Sequence, residues 1–306
     1  MTRITRFCVT GLAVALGATA CSTNAREAPL SATSTTPSET SSPVDPAGSS
    51  GERLVLSGFL AFGDFGGGAR QEAVADAMER WVAAGHRVDA LATTGDNVYE
   101  TGDPRLFRRQ LDQPYADLRK TRPLWVTLGN HDVAVGHGGA QLEHLGLPPL
   151  PYAKELPGVQ LLFLDGNRVD EAQSRWLEDQ LSRSGPPFRV VVFHQPAYSC
   201  GYHGSTDSVI EKWVPIFELH SVALVLNAHD HHYERFLSKS GVTYVVTGGG
   251  GRELYPYLPG CTGSDPAEQA GAMLHHFVGI EVRDRSLTLT AVADDDTVID
   301  QTTIER

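Results

Sequence analysis

From residue 53 onward the chain alternates short apolar runs with segments of helical periodicity. The run 53–62 ends in Gly63-Asp64 and predicts a strand. Over 71–84, Val74, Ala77, Met78, Trp81 and Val82 recur at helical spacing and predict an amphipathic helix. A second strand is expected over 88–93, before Gly95-Asp96, and a third over 124–128, before Gly129-Asn130. Between them, 104–118 reads as a helix opened by Pro104, where a missing N–H is tolerated. Further strands are expected over 159–164, over 189–193 (ending at His194), over 222–226 (near His229) and over 243–247. Helices are expected over 171–181 and over 207–219, the latter kinked by Pro215. The tail differs. Runs over 274–282, 286–293 and 297–304 follow one another with only short turns between, which predicts an antiparallel meander. Strand–helix alternation closing in a meander predicts an α/β fold of stacked mixed sheets with helices outside.

The first fifty residues follow other rules. Arg3 and Arg6 precede an uncharged, mostly apolar run over 7–20, too short to span a membrane comfortably, so 1–21 reads as an export leader. Its end, Ala18-Thr19-Ala20-Cys21, suits signal cleavage and also resembles a bacterial lipobox, in which Cys21 would carry a lipid. Residues 22–51 are dominated by Ser, Thr, Pro and Ala, cannot bury enough surface to fold, and read as a flexible spacer. The folded domain is therefore expected over 52–306, exported and either lipid-anchored at the cell surface or secreted. Membrane attachment is expected only through Cys21.

Composition narrows the picture. Of 306 residues, 41% are hydrophobic, enough for a substantial core. With 25 Lys+Arg against 37 Asp+Glu, the net charge of −12 lacks the basic footprint of a nucleic-acid binder, and no such partner is expected. Only Cys200 and Cys261 lie outside the leader, and in an exported chain they are expected to pair. That bond would close a loop of about 61 residues, worth about 4 kcal/mol in the chain-entropy picture.

The candidate chemistry is positional. Five predicted strands end in Asp64, Asp96, Asn130, His194 and His229. A single Asp after a strand is commonly a cap or turn residue. Five in succession, all Asp, Asn or His, point instead to a site outside the carboxyl ends of the strands. Hard oxygen donors with imidazoles suit Fe, Zn or Mn, and their number exceeds one ion's needs. Two ions can clamp the attacking and leaving oxygens of an in-line displacement, so phosphate esters are the natural substrates.

The blocks Gly63-Asp64-Phe65-Gly66, Gly95-Asp96-Asn97-Val98-Tyr99, Gly129-Asn130-His131-Asp132, Val192-Phe193-His194 and Ala228-His229-Asp230-His231 resemble, in order and spacing, the five motifs of calcineurin-like metallophosphoesterases. They span more than half the chain. Tyr99, three residues after Asp96, resembles the mark of the purple acid phosphatase branch, where a phenolate binds Fe(III). The resemblance implies an α/β four-layer αββα sandwich of two mixed β-sheets flanked by helices. It implies two metal ions, Fe(III) and a divalent ion (Fe, Zn or Mn). One would be held by Asp64, Asp96, Tyr99 and His231, the other by Asp96, Asn130, His194 and His229, with Asp96 bridging. The ions bring about +5; two carboxylates, a phenolate and a bridging hydroxide bring about −4; the core, at roughly +1, would attract a phosphate dianion. Ala228 departs from the Gly usual at that place, and His232 directly after His231 raises a shifted register. His229 and His231 share the i, i+2 relation that puts both side chains on one side of an extended segment, so His232 is expected to point away.

The implied reaction is phosphate monoester hydrolysis by a metal-bound hydroxide. His131 would assist the leaving group, with Asp132 orienting its ring, and His203, nine residues after His194, is a second candidate. The Gly248–Gly251 run is read as a tight turn rather than a phosphate cradle. Alternatives are a phosphodiesterase or nucleotidase of the same superfamily, or a non-catalytic surface-binding lipoprotein. A Ser hydrolase has little support, since no Gly-x-Ser-x-Gly elbow is present.

Overall fold

The ten apolar runs read as strands all form strands, and three further strands join them among the residues that the computed structural model describes, 54–306. The expected leader (1–21) and spacer (22–51) lie outside the described residues. In chain order the strands are β1 (Ser57–Phe62), β2 (Ala90–Thr93), β3 (Leu124–Val126), β4 (Tyr152–Leu156), β5 (Val159–Phe163), β6 (Phe188–Val192), β7 (Leu224–Asn227), β8 (Tyr233–Leu237), β9 (Thr243–Thr247), β10 (Ala267–Ala272), β11 (His276–Val282), β12 (Ser286–Ala293) and β13 (Val298–Glu305). The helices are α1 (Ala69–Ala83), α2 (Ala116–Arg119), α3 (Asn130–Val133), α4 (Gly138–His144), α5 (Glu171–Ser182), α6 (Asp207–Lys212) and α7 (Val214–Leu219).

The strands form two mixed sheets, as expected. One has the order β13-β12-β11-β1-β2-β3, the other β10-β8-β9-β7-β6-β5-β4. In the first, β1, β2 and β3 run parallel and the β11–β13 tail pairs antiparallel, as the meander pattern predicts. In the second, β5, β6, β7 and β9 run parallel.

Alternation within single strands sets the layers. Phe59 and Ala61 of β1 face the second sheet and share a core with Leu161, Val190, Val192, Leu224 and Leu226. Leu60 and Phe62 point the other way, onto Val74, Ala77 and Met78 of α1. On the far side, Leu162 and Val191 meet Leu177 of α5 and Phe217 of α7, with Trp213 between α6 and α7. Period-two strands buried on both faces thus give helix, sheet, sheet, helix.

Two helix expectations need correction. Residues 104–118 are not one helix. They form a 3-10 turn (Pro104–Leu106), a wide turn of π type (Arg108–Asp112) and then α2. Pro114 lies inside that stretch, lacks an N–H and disfavours helix in the residue before it. The 207–219 helix is divided at Trp213, with Pro215 in the first turn of α7, where it is tolerated. Cys200 and Cys261 are joined in a disulfide, as expected. No helix among the described residues is long and apolar enough to cross a membrane.

Candidate metal centre

The parallel strands deliver the candidate donors to one edge. Asp64, Asp96 and Asn130 follow β1, β2 and β3 of the first sheet; His194 and His229 follow β6 and β7 of the second. Three of the five sit in the left-handed region that L side chains rarely adopt: Asp64 (φ 52), Asp96 (φ 50) and His229 (φ 74). Such conformations persist only where surroundings impose them, and they cluster at working sites.

Hydrogen bonds aim the donor atoms. Asp64 spends Oδ2 on the backbone N–H of His229 (2.7 Å), and Asp96 spends Oδ1 on that of His131 (2.8 Å). The opposite oxygens, Asp64 Oδ1 and Asp96 Oδ2, meet the Tyr99 hydroxyl at 3.1 and 3.2 Å, and His231 Nε2 lies 3.3 Å from the same hydroxyl. On the other side, His194 Nε2 lies 3.3 Å from Asp96 Oδ2, 3.2 Å from Asn130 Oδ1 and 3.2 Å from His229 Nδ1. His194 Nδ1 donates to the Thr94 carbonyl (2.9 Å) and His231 Nδ1 to the Glu253 carbonyl (2.6 Å). In each neutral ring the Nε2 lone pair is left facing the cluster, the orientation a metal-binding histidine needs.

The donor chemistry fits cations. Buried carboxylates, a buried phenol and imidazoles converge, and most of the facing atoms are acceptors. Ligand atoms of Asp96, His194 and His229 all lie within 4.8 Å of one another. In the protein alone, protons must offset this negative charge. Burial opposes a charge on His194, but neighbouring Asp96 and then Asp64 keep its imidazolium up to about 9. Burial also raises Asp96, but His194 and the bond from His131 outweigh it and hold the carboxyl at about 2. Burial, then Asp64 and Asp96, push the Tyr99 phenol well above its ordinary value. A cation would reverse that last effect, since it favours the phenolate.

All seven predicted ligand residues come together, and so do two of the three predicted catalytic ones. His131 fixes Nδ1 on the Glu100 carbonyl (2.7 Å), which leaves Nε2 4.0 Å from Asp96 Oδ2. His203 stacks on His229 (centroids 4.0 Å apart). Asp132 requires correction. Its carboxylate does not orient the His131 ring, because Glu100 does. It is fully buried and accepts instead from the backbone N–H groups of Asn97, Val98 and Gly129 and from the side chains of Asn97 and Gln141. It thereby fixes the loops that carry Asp96 and Asn130.

The two departures in the last motif are harmless. Ala228 fills the space left by Gly63, whose added Cβ would lie 2.8 Å from the Ala228 methyl. His232 points away and pairs Nε2 with Glu234 (2.8 Å), so the register of His229 and His231 holds. The Gly run after β9 packs beneath the cluster: a Cβ on Gly248 would lie 2.5 Å from Asp64 Oδ2, so close approach explains it.

Sequence reasoning missed four residues. Asp230, buried between His229 and His231, accepts from Ser199 Oγ (2.6 Å) and from the backbone of His203 (2.8 Å) and Gly204 (3.1 Å), which seats the His203 loop. Arg252 lies over the Tyr99 ring, Cζ to centroid 4.2 Å, and bonds Glu100 Oε1 at 2.8 Å. Tyr255 stacks on His231 with centroids 4.0 Å apart. Asp230 and Glu100 touch the motifs in sequence and could have been weighed. Arg252 and Tyr255 reach the site only across the sheet ends.

Comparison with known proteins agrees with this geometry. The pattern of the calcineurin-like phosphoesterase family matches residues 58–233. Purple acid phosphatase 4 of Arabidopsis thaliana is 27% identical over 245 residues, covering 68% of this chain and 72% of that protein. Purple acid phosphatase 17 of the same plant is 26% identical over 252 residues, covering 69% and 72%. The purple acid phosphatase PPD1 from yellow lupin seeds superposes with a TM-score of 0.69 at 18% identity, over 84% of this chain and 55% of that one. GAP50, described as the anchor in the inner membrane complex of Plasmodium, superposes with a TM-score of 0.70 at 17% identity, over 82% and 89%. With the motif order, the converging donors and the matched span all in agreement, the chain belongs to the calcineurin-like phosphoesterase family, in its purple acid phosphatase-like branch.

Proposed function

We propose that this chain is an exported phosphatase that hydrolyses phosphate monoesters with two metal ions, Fe(III) and a divalent ion (Fe, Zn or Mn). One observation carries the binuclear reading: Asp96 Oδ2 lies 3.2 Å from the Tyr99 hydroxyl and 3.3 Å from His194 Nε2, so one oxygen faces both donor sets. Asp64, Asp96, Tyr99 and His231 would hold one ion, and Asp96, Asn130, His194 and His229 the other. When bound, the ions supply Lewis acidity toward phosphoryl oxygens and lower the pKa of water toward neutrality.

The rest of the work falls to the chain. His131, held through Glu100, presents Nε2 at the rim of the cluster, placed to give a proton to the departing alkoxide. His203, stacked on His229, is placed to do the same from the opposite rim. Asp230 holds the loop that carries His203. Export and the choice between a lipid on Cys21 and free secretion rest on residues 1–21, and mass spectrometry of the mature N-terminus decides them.

Metal analysis with paired substrates tests the catalytic reading. The purified protein should carry two metals per chain and hydrolyse para-nitrophenyl phosphate faster than its bis-ester. Its visible absorption band should vanish in Tyr99→Phe. One metal per chain, or faster cleavage of the bis-ester, would refute the binuclear or the monoesterase half respectively.

A further inference from the structure

Beside the cluster, three rings stand together outside the donor set. His203 and Tyr255 each stack on a candidate ligand, His229 and His231, at centroid distances of 4.0 Å. Tyr202 closes the group, 5.1 Å from His203 and 5.7 Å from Tyr255, while His203 and Tyr255 are 5.6 Å apart. The wall therefore runs continuously from the imidazoles at the cluster to open solvent, and Tyr202 at its outer end is 75% exposed. A large ring held this far into water gains little from folding, and its exposed face is open to an incoming ring.

The wall is also braced. Its two halves belong to separate loops, 199–205 and 252–261, which the Cys200–Cys261 disulfide joins. The Leu258 N–H donates to the Cys200 carbonyl (2.9 Å), and the Tyr255 N–H to the His231 carbonyl (3.1 Å). The Asp230 carboxylate takes the backbone N–H groups of His203 and Gly204. The two loops, and the His203 and Tyr255 rings stacked on His229 and His231, are thus positioned before any ligand arrives, which reduces the ordering cost of binding.

Resting on the monoesterase reading above, we propose that Tyr202, with His203 and Tyr255, forms a stacking subsite for a planar aromatic group carried by the leaving alcohol. The preferred substrates are then monoesters whose alcohol bears a base or aryl ring. With the phosphoryl group at the donor cluster, that ring lies against the wall, offset or edge-on to the exposed tyrosine.

Matched substrate pairs isolate the effect. Adenosine 5′-monophosphate and ribose 5-phosphate release the same kind of primary alkoxide and differ in the base. 2-Phenylethyl and 2-cyclohexylethyl phosphate differ in aromaticity at similar size. In the metal-loaded full chain, kcat/KM for the adenosine ester should exceed that for ribose 5-phosphate by about tenfold, the scale of one stacked base. Tyr202→Ala should bring that ratio near one, and Tyr202→Phe should preserve it. A preference confined to the adenosine pair assigns the subsite to nucleobases, and one shared by the phenylethyl pair assigns it to aromatic rings in general. A wild-type ratio near one, or equal loss on both members of a pair in Tyr202→Ala, would overturn the subsite while leaving the phosphatase reading intact. If no monoester is turned over, para-nitrophenyl phosphate included, both fall together.

Discussion

Asp64 and Asp96 stand at the front of the site, Asp132 and Asp230 directly behind it, and all four are buried. They differ in what their oxygens meet. The front pair divide their oxygens: one is tied to a backbone N–H of another motif, the other faces a phenol and imidazoles. The rear pair are satisfied by protein donors, Asp132 by the Asn97, Val98 and Gly129 backbone and Asp230 by Ser199, His203 and Gly204. A buried carboxylate with enough N–H partners is structural. One whose free oxygen faces a phenol and imidazoles, groups that can themselves bind metal, is suited to a cation. Residue type and burial do not separate the two kinds; the partner atoms do.

The sharpest test of that contrast is Asp96→Asn. Removing the charge that faces both donor sets should lower kcat/KM by roughly a thousandfold or more and reduce the metal content seen by elemental analysis. Full metal loading with near-normal turnover would erase the distinction between front and rear. Asp132→Ala should act through the fold instead. It strips an acceptor from several buried N–H groups and should cost about 3 kcal/mol in urea unfolding. A loss of activity with no loss of stability would move Asp132 to the front.

The smallest expected effect is on pH. With metal chelated, burial disfavours a charge on His194, but Asp96 keeps the imidazolium up to about 9, above the ordinary value near 6.5. The stability gained is then fully present below about pH 6.5 and is lost as pH rises toward 9. The chelated protein's Tm should therefore fall by a few degrees across that window. The metal-loaded protein should stay flat, because the Nε2 lone pair is already engaged. Parallel curves would place His194 outside the donor set.

Much of the architecture is legible in the apolar runs because strands buried on both faces need unbroken hydrophobic stretches. Phe59 to Phe62 and Val190 to Val192 are examples. The strands that escaped lack that signature. Ala267–Ala272 is made of small and polar residues and exists as a strand through its pairing with β8. Tyr233–Leu237 follows the candidate-donor histidines closely and buries Glu234, whose burial depends on Cys200 N–H, Ser199 and His232. Five of the seven candidate donors were legible because they follow strand ends. Asp132 was misassigned because sequence proximity to His131 suggests contact, whereas the turn after Gly129 sends its carboxylate back toward Asn97. Arg252 and Tyr255 gave no signal, since their neighbours lie more than twenty residues away in sequence.

The candidate donors come from both sheets: three follow β1, β2 and β3, and two follow β6 and β7. Ions seated there would rivet the halves of the sandwich along one border, so slippage of either sheet would loosen the site before the interior opened. Ligation and global folding would then be thermodynamically linked, and scarcity of metal would register as fragility of the whole domain.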